Sequence, residues 1–293
     1  IRDRDYREGE KFVGTYLCKQ KQILKTKAGK TYYSLTLQDK TGTADGKIWE
    51  LNNGIANFEP MDYIHCEGMV TSFQGNLQMN ISRVRISDEG EYDPADYVPC
   101  TNKDVGEMFS RILKYVASVQ NKYLRKILEM YFVENKEFVD AFKKHSAAKS
   151  VHHGFMGGLL EHTLSVTDMC QYFAEHYPMI HRDLLITAAL FHDMGKIQEI
   201  SDFPMNDYTD DGQLLGHIYI GARCMENAAA QIPNFPPKLK NELVHCILAH
   251  HGKMEFGSPK VPAIMEAMAL HMADNADAKL QTLTEVFLSL IHI

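Results

Sequence analysis

The chain has 293 residues, 45% of them hydrophobic and 24% charged, with 31 Lys+Arg against 38 Asp+Glu and a formal net charge of −7. That balance excludes a disordered or fibrous polymer, and the length supports one large domain or two ordinary ones, each with its own core. No apolar run approaches the roughly 20 residues that cross a bilayer, so no membrane partner is expected.

The first ten residues, "IRDRDYREGE", are charged and lack the apolar segment of a secretory signal, so a cytoplasmic location is expected. Six cysteines, widely spaced and without a C-x-x-C pair, read as free thiols rather than a disulfide framework or zinc ribbon. Residues 1–88 carry 13 Lys+Arg against 11 Asp+Glu, or +2, which leaves 18 against 27, or −9, for the rest. An acidic body does not attract a polyanion through its overall field, so any nucleic-acid contact needs a local basic patch. "KQKQILKTKAGK" (19–30) supplies five lysines with no acid between them. On that stretch alone, a solvated hairpin tip and a phosphate-binding loop are equal readings.

Five segments between 11 and 86 read as strands: "KFVGTYLCKQ", "KTYYSLTLQD", "GTADGKIWE", "DYIHCEGMVTSF" and "NLQMNISRVRI". Each alternates or clusters β-branched and aromatic residues, with Gly, Asn and Asp between. Together they predict a small all-β barrel over 1–88. "YYSLTLQDKTGTADGKIW" resembles the OB-fold of single-strand-binding proteins. Such barrels stack bases on aromatics inside a basic groove. Tyr32, Tyr33, Trp49 and Phe73 are the aromatic candidates. Half the aromatics of any strand face the core, and Trp49 is expected to be partly structural. The expected nucleic-acid contacts are Lys25, Lys27, Lys30, Tyr33 and Phe73.

Residues 89–104, acidic and carrying Pro94 and Pro99, read as a linker. From 105 to 293 the apolar period changes to three and four, which predicts an all-α bundle. The fold class expected is therefore multidomain, an OB-like barrel followed by a helical domain. The stripe Met265, Met268, Met272 reads as core.

On those helices several ionisable residues fall on apolar faces. His162 is in phase with Leu159 and Val166, and His192 and Asp193 close the run "ITAALFHD". His217 follows the phase of Ile220 and Cys224, His250 and His251 that of Leu243 and Ile247, and Asp274 that of Leu270 and His271. A lone inward histidine is usually a satisfied core residue, but so many imidazoles and carboxylates cost several kcal/mol each to bury unless a cation compensates. Imidazole and carboxylate without thiolate suit Mn, Fe, Co, Ni or Zn in an open site. Asp193, beside a histidine, has one oxygen to share with it and a second free for another ion.

The ordered set, with "HDMGK" intact, resembles the HD-domain superfamily of metal-dependent phosphohydrolases. "HHGFMGGLLEHTLSV", "AALFHDMGKIQEI", "GHIYIGA", "LAHHGKMEFGSPKVP" and "ALHMADNADAK", behind an OB-like N-terminus, are similar to the YhaM family of 3′-to-5′ exoribonucleases. No G-Y-P segment follows the paired histidines, unlike the cyclic-dinucleotide branch, and the chain ends in "TEVFLSLIHI", where family members usually continue into a further tail.

The resemblance implies two divalent ions, manganese or cobalt being usual, and single-stranded nucleic acid as partner, RNA favoured. It assigns His162, His192, Asp193 and Asp274 to one ion and Asp193, His217, His250 and His251 to the other, with the choice between His250 and His251 as the direct ligand left open. Lys196 is expected to face the phosphate as a point charge. His152 and His153, in a glycine-rich turn, are candidates for phosphate binding or leaving-group protonation, balanced against a plain turn. Glu161, next to the first ligand, is expected to support it. A hydrolase of free nucleotides and a nucleic-acid-binding protein with a regulatory metal site are the alternatives. RNA against DNA preference, native metal and subunit number, a homo-oligomer included, stay open on the sequence alone.

Overall fold

The computed structural model describes residues 6–149 and 153–291, with side chains through residue 287. The chain divides into two compact units, Ile1–Pro99 and Cys100–Ile293.

The first unit holds five strands: β1 (Lys11–Lys25), β2 (Thr31–Asp39), β3 (Gly42–Ile48), β4 (Tyr63–Phe73) and β5 (Asn76–Ile86). They close into a barrel in the order β1-β2-β3-β5-β4. Four of the pairings are antiparallel, and a short parallel contact between β3 and β5 completes the ring. Closure removes the unpaired edges that an open sheet would expose. Alternate residues point inward, so Leu35, Leu37, Ile48, Ile64 and Cys66 are sealed in the core while their neighbours face out. The barrel is OB-like, as the strand spacing predicts.

Two features differ from the sequence reading. β1 continues through a bulge after Cys18 to Lys25, because Ile23 and Leu24 pair with Tyr33 and Tyr32 across the sheet. Only residues 26–30 form the turn, so most of the lysine-rich stretch is strand. The acidic segment after β5 is folded onto the barrel: Tyr92 stacks on Tyr63 at 4.0 Å and Tyr97 meets it edge-on at 5.3 Å. Gln38 donates to the Tyr97 carbonyl at 2.9 Å, and Lys40 pairs with Asp96 at 2.6 Å. Aromatic burial outweighs the linker-like composition there, and the boundary between the units falls after Pro99.

The second unit is helical: α1 (Val105–Ser118), α2 (Lys122–Glu129), α3 (Lys136–Lys144), α4 (Gly158–His176), α5 (Arg182–Phe191), α6 (Lys196–Glu199), α7 (Asp210–Leu214), α8 (Gly216–Ala230), α9 (Pro237–Ala249) and α10 (Met265–Ile291). The starts carry side chains that satisfy orphaned backbone N–H groups: Asp104 accepts from Glu107 N at 2.7 Å and Asn121 from Leu124 N at 3.2 Å. α5 is buried on every side, from Leu184 to Phe191, and α4 and α10 pack against it. One core of Leu, Ile, Val, Phe and Ala joins these helices to α8 and α9.

The methionine stripe is not in that core. Met265, Met268 and Met272 are 43%, 41% and 54% exposed and line an apolar groove of about 280 Å³ with Phe173, Tyr177 and Ile180. α10 instead turns Ala267, Leu270 and Ala273 inward, one helical phase away. The cysteines are free thiols, and among the described residues no helix is long and apolar enough to cross a membrane.

Candidate metal centre

The ends of three helices meet the middles of two others. α5 ends at Phe191, which places His192 and Asp193 at its C-terminal cap; α9 ends at Ala249, which places His250 and His251 likewise. His217 is the second residue of α8. His162 projects from α4 and Asp274 from α10. A helix C-terminus leaves carbonyls without intrahelical partners, and the same local device appears twice. His192 Nδ1–H donates to Ala189 O at 2.8 Å, and His250 Nδ1–H donates to Ile247 O at 2.7 Å. Since a carbonyl only accepts, each bond assigns the proton to Nδ1 and leaves Nε2 as a bare lone pair aimed away from its helix.

The other imidazoles are oriented in the same way. His217 Nδ1 donates to Glu199 Oε1 at 2.9 Å, His251 Nδ1 to Phe256 O at 2.8 Å, and His162 Nδ1 to Asp277 Oδ2 at 2.7 Å. Five Nε2 atoms are thereby presented to one region. His162, His192 and Asp193 bring their donor atoms within 4.8 Å of one another, and so do His217, His250 and His251. Asp274 Oδ1 joins the first group, 3.2 Å from His162 Nε2 and 3.9 Å from His192 Nε2.

Asp193 stands between the groups. Its Oδ2 is 3.3 Å from His162 Nε2 and 3.5 Å from His192 Nε2, while its Oδ1 is 3.6 Å from both His217 Nε2 and His250 Nε2. Ligands about 2.1 Å from one ion and at right angles stand about 3 Å apart, so these separations are close to the edges of a coordination shell. The fit to a cation is also visible in what is left unpaired. Both oxygens of Asp193 and the Nε2 atoms of His217 and His250 are buried without an aligned hydrogen bond. Lys196 Nζ does approach Asp193 Oδ2 to 2.7 Å, a contact close in distance but without hydrogen-bond alignment. Asp193 Oδ1 and the two Nε2 atoms have no such partner; each orphan of this kind costs about 1–3 kcal/mol, and a divalent cation would satisfy all three.

Electrostatics agree with that assignment. Burial pushes His192 and His251 down to about 4, so both are neutral and available as ligands near pH 7. Burial alone would raise Asp193, but the ammonium of Lys196 and the neighbouring imidazoles hold it well below the carboxylate range. Burial works against protonation of His162 as well, yet Asp193, Asp274 and Asp277 around it raise it well above the imidazole value. Three carboxylates about one ring are an excess of negative charge that attracts a cation, which would compete with the proton for Nε2. Lys196 is raised despite its burial, because Asp193 lies beside it.

Gly195 explains the spacing of "HDMGK". A Cβ there would lie 2.1 Å from His217 O, so the turn from α5 into α6 can rest on the start of α8 only without a side chain. That close approach brings Lys196 and His217 to Asp193 together.

Sequence reasoning missed two carboxylates. Asp277, one turn after Asp274, accepts from His162 Nδ1, from His153 Nε2 at 3.0 Å, and from the Ser165 hydroxyl. Glu199, one turn beyond Lys196, holds both the ring and the backbone N–H of His217. The i, i+3 spacing from Asp274 and Lys196 is the only sequence signal for either, and it does not identify a partner 115 residues away. His153, 2% exposed with φ +60°, bonds the same Asp277 oxygen as His162, and the donor atoms of His153, His162 and Asp277 form a third group within 4.8 Å of one another. His152 lies outside the described residues. Glu161 is turned the other way, bonded to Thr101 and, at 2.9 Å, to Lys103, because the next residue along a helix points about 100° round the axis. His271 donates to His250 O at 2.9 Å and supports the loop rather than the cluster.

Carboxylates behind ligating imidazoles typically account for 10–100-fold in metal affinity. Asp277→Asn should therefore weaken Mn²⁺ binding by about that factor in a calorimetric titration. Unchanged affinity would remove Asp277 from the site.

On the barrel, Tyr33 is turned toward the core, edge-on to Phe58 at 6.3 Å, with the Lys21 ammonium 4.7 Å above its ring. The strand period decides this: Leu35 and Leu37 share its face. Tyr32, on the outer face, stacks on Trp49 at 4.5 Å. Phe73, 62% exposed, ends β4 at the β4–β5 turn. Lys25 ends β1, and Lys27 and Lys30 belong to the β1–β2 turn, where Lys30 pairs with Glu50 at 3.3 Å.

A model of the HD domain family matches residues 159–279, which spans the candidate ligands from His162 to Asp274. The 3′-5′ exoribonuclease YhaM of Bacillus subtilis is 32% identical over 259 residues, 86% of this chain and 80% of that protein. The protein of the same name from Listeria innocua is 32% identical over 291 residues, 96% of this chain and 90% of its own length. That of Geobacillus sp. is 32% identical and covers 86% of this chain and 77% of its own. Among solved structures, the second OB-fold domain of replication protein A from Methanococcus maripaludis is similar over 30% of this chain and 91% of that one, at 18% identity and a TM-score of 0.22.

Proposed function

The chain belongs to the YhaM family, and from that premise we propose that it is a 3′-5′ exoribonuclease that removes nucleotides from single-stranded RNA with a pair of divalent metal ions. The observation that carries this reading is Asp193, whose two oxygens face two separate groups of histidine nitrogens. His162, His192, Asp193 and Asp274 would hold one ion, and Asp193, His217, His250 and His251 the other. Manganese is the favoured metal, and cobalt, iron, nickel or zinc suits the same donors. Divalent cations held there supply a water nucleophile near neutral pH and neutralise phosphate oxygens during in-line attack.

The chain's own residues do the remainder. Glu199 and Asp277 and the helix-end carbonyls keep each imidazole turned to the substrate side. Lys196, charged and buried beside Asp193, offers a fixed positive charge to the phosphate as negative charge builds. His153 acts through Asp277 as a positioning residue. The barrel would capture the strand between its β1–β2 turn, the exposed ring of Phe73 and the half-buried Tyr32–Trp49 stack, with Tyr33 serving the barrel core.

The test is an end-labelled oligoribonucleotide with Mn²⁺, sampled over time. A descending ladder with mononucleotide product supports the reading; an untouched oligomer beside hydrolysed free nucleotides overturns it, and an oligodeoxyribonucleotide run in parallel decides DNA. In the same assay Lys25→Gln with Lys27→Gln should weaken oligomer binding and lower its salt slope by about 0.7 for each phosphate no longer neutralised. Cleavage of a dinucleotide should be unchanged. An unaltered slope would remove these lysines from the interface.

A further inference from the structure

The metal centre is closed on most sides. His192 and His250 are 0% exposed, and His162 and Asp193 2%. His251 is the partly exposed histidine of the cluster, so it marks the open edge. Its Nδ1–H is bonded to Phe256 O, which ties the loop after α9 to that edge by a single hydrogen bond. The loop is held in shape along its length. Gly252 has φ +80° and lies under the His271 ring, which comes within 2.3 Å of where a Cβ would be. A turn over Met254–Phe256 follows, Gly257 N donates to Met254 O, Ser258 N donates to Lys253 O, and Ser258 is 2% exposed.

On this fixed turn Phe256 is 57% exposed, with the Lys253 ammonium 5.3 Å from its ring centroid. The ring therefore contributes little to the core, and a solvated aromatic surface on a turn whose backbone is bonded to His251 is what a nucleobase can stack on. We propose that Phe256 is the platform for the base of the 3′-terminal nucleotide, the one whose 5′ phosphate enters the metal centre, and that Lys253 strengthens the contact. The proposal rests on the exonuclease reading above. An enzyme that shortens any strand must hold every base in turn; a hydrogen-bonding pocket would select among them, whereas each base offers a ring face. The acidic helical unit also lacks an overall field to hold RNA, so a contact that does not depend on charge suits it.

Two oligoribonucleotides that differ only in an abasic 3′-terminal nucleotide test this, cleaved by the wild type, Phe256→Ala and Phe256→Trp with Mn²⁺. Wild type should prefer the intact end by roughly tenfold in kcat/KM. Phe256→Ala should lose that preference while matching wild type on the abasic end, and Phe256→Trp should keep it. A 3′-terminal 2-aminopurine should be quenched on binding to wild type and not to Phe256→Ala, a readout independent of turnover. The platform is overturned if Phe256→Ala keeps the wild-type preference or slows both substrates equally. If metal-loaded wild type cleaves neither oligomer, the exonuclease reading fails first and the platform falls with it.

Discussion

Asp193→Asn should lower kcat on an oligoribonucleotide by about 10³-fold or more, since removing one preorganised electrostatic partner commonly costs 10²–10³ and this carboxylate faces both ligand groups. The amide keeps the shape, but replaces two anionic acceptors with one neutral oxygen and an N–H₂ donor. Metal content after dialysis should fall together with activity. The thermal response separates this from simple misfolding. In wild type Asp193 Oδ1 and the Nε2 atoms of His217 and His250 are buried without a hydrogen-bond partner, a cost that metal offsets, so added Mn²⁺ should raise Tm as ligand linkage requires. Asp193→Asn, which leaves the buried Lys196 ammonium without its carboxylate, should melt below wild type in chelator and gain little on adding Mn²⁺. A variant with full metal content and full activity would remove Asp193 from the centre of the mechanism.

Lys196→Met should reduce kcat by about 10²-fold with much less change in metal content. Nζ lies 2.7 Å from Asp193 Oδ2 and the side chain is 13% exposed, so its charge acts where water does not screen it. Methionine fills a similar volume without the charge. Lys196→Arg should recover only part of the rate, because the planar guanidinium does not replace a compact ammonium in a narrow site. A fall in metal content equal to that in Asp193→Asn would mean that Lys196 merely maintains the carboxylate. A fall in rate with metal retained identifies it with the phosphate.

The barrel's five strands and the change to helical period near residue 105 were legible because side-chain alternation and three-four spacing are local properties. The candidate ligands were conspicuous for a related reason. Charged and imidazole groups placed in phase with Leu, Ile and Ala are conspicuous, and "HDMGK" marks a helix end. Partners were not. Tyr32 and Tyr33 are neighbours of the same type; the phase of Leu35 and Leu37 turns Tyr33 inward, but its partners Phe58 and Lys21 come from other segments. Met265, Met268 and Met272 looked like core until α4 and α5 met α10 through the alanine and leucine face instead.

Sequence by itself determined the architecture of each unit and the chemical type of the site, since periodicity and residue chemistry travel with the chain. Only the tertiary structure decided that Asp277 stands behind His162, that Glu199 holds His217, and that Phe256 is tied to His251. Those are contacts made where helix ends converge, and a hydrogen bond between residues far apart in the chain has no local period to announce it.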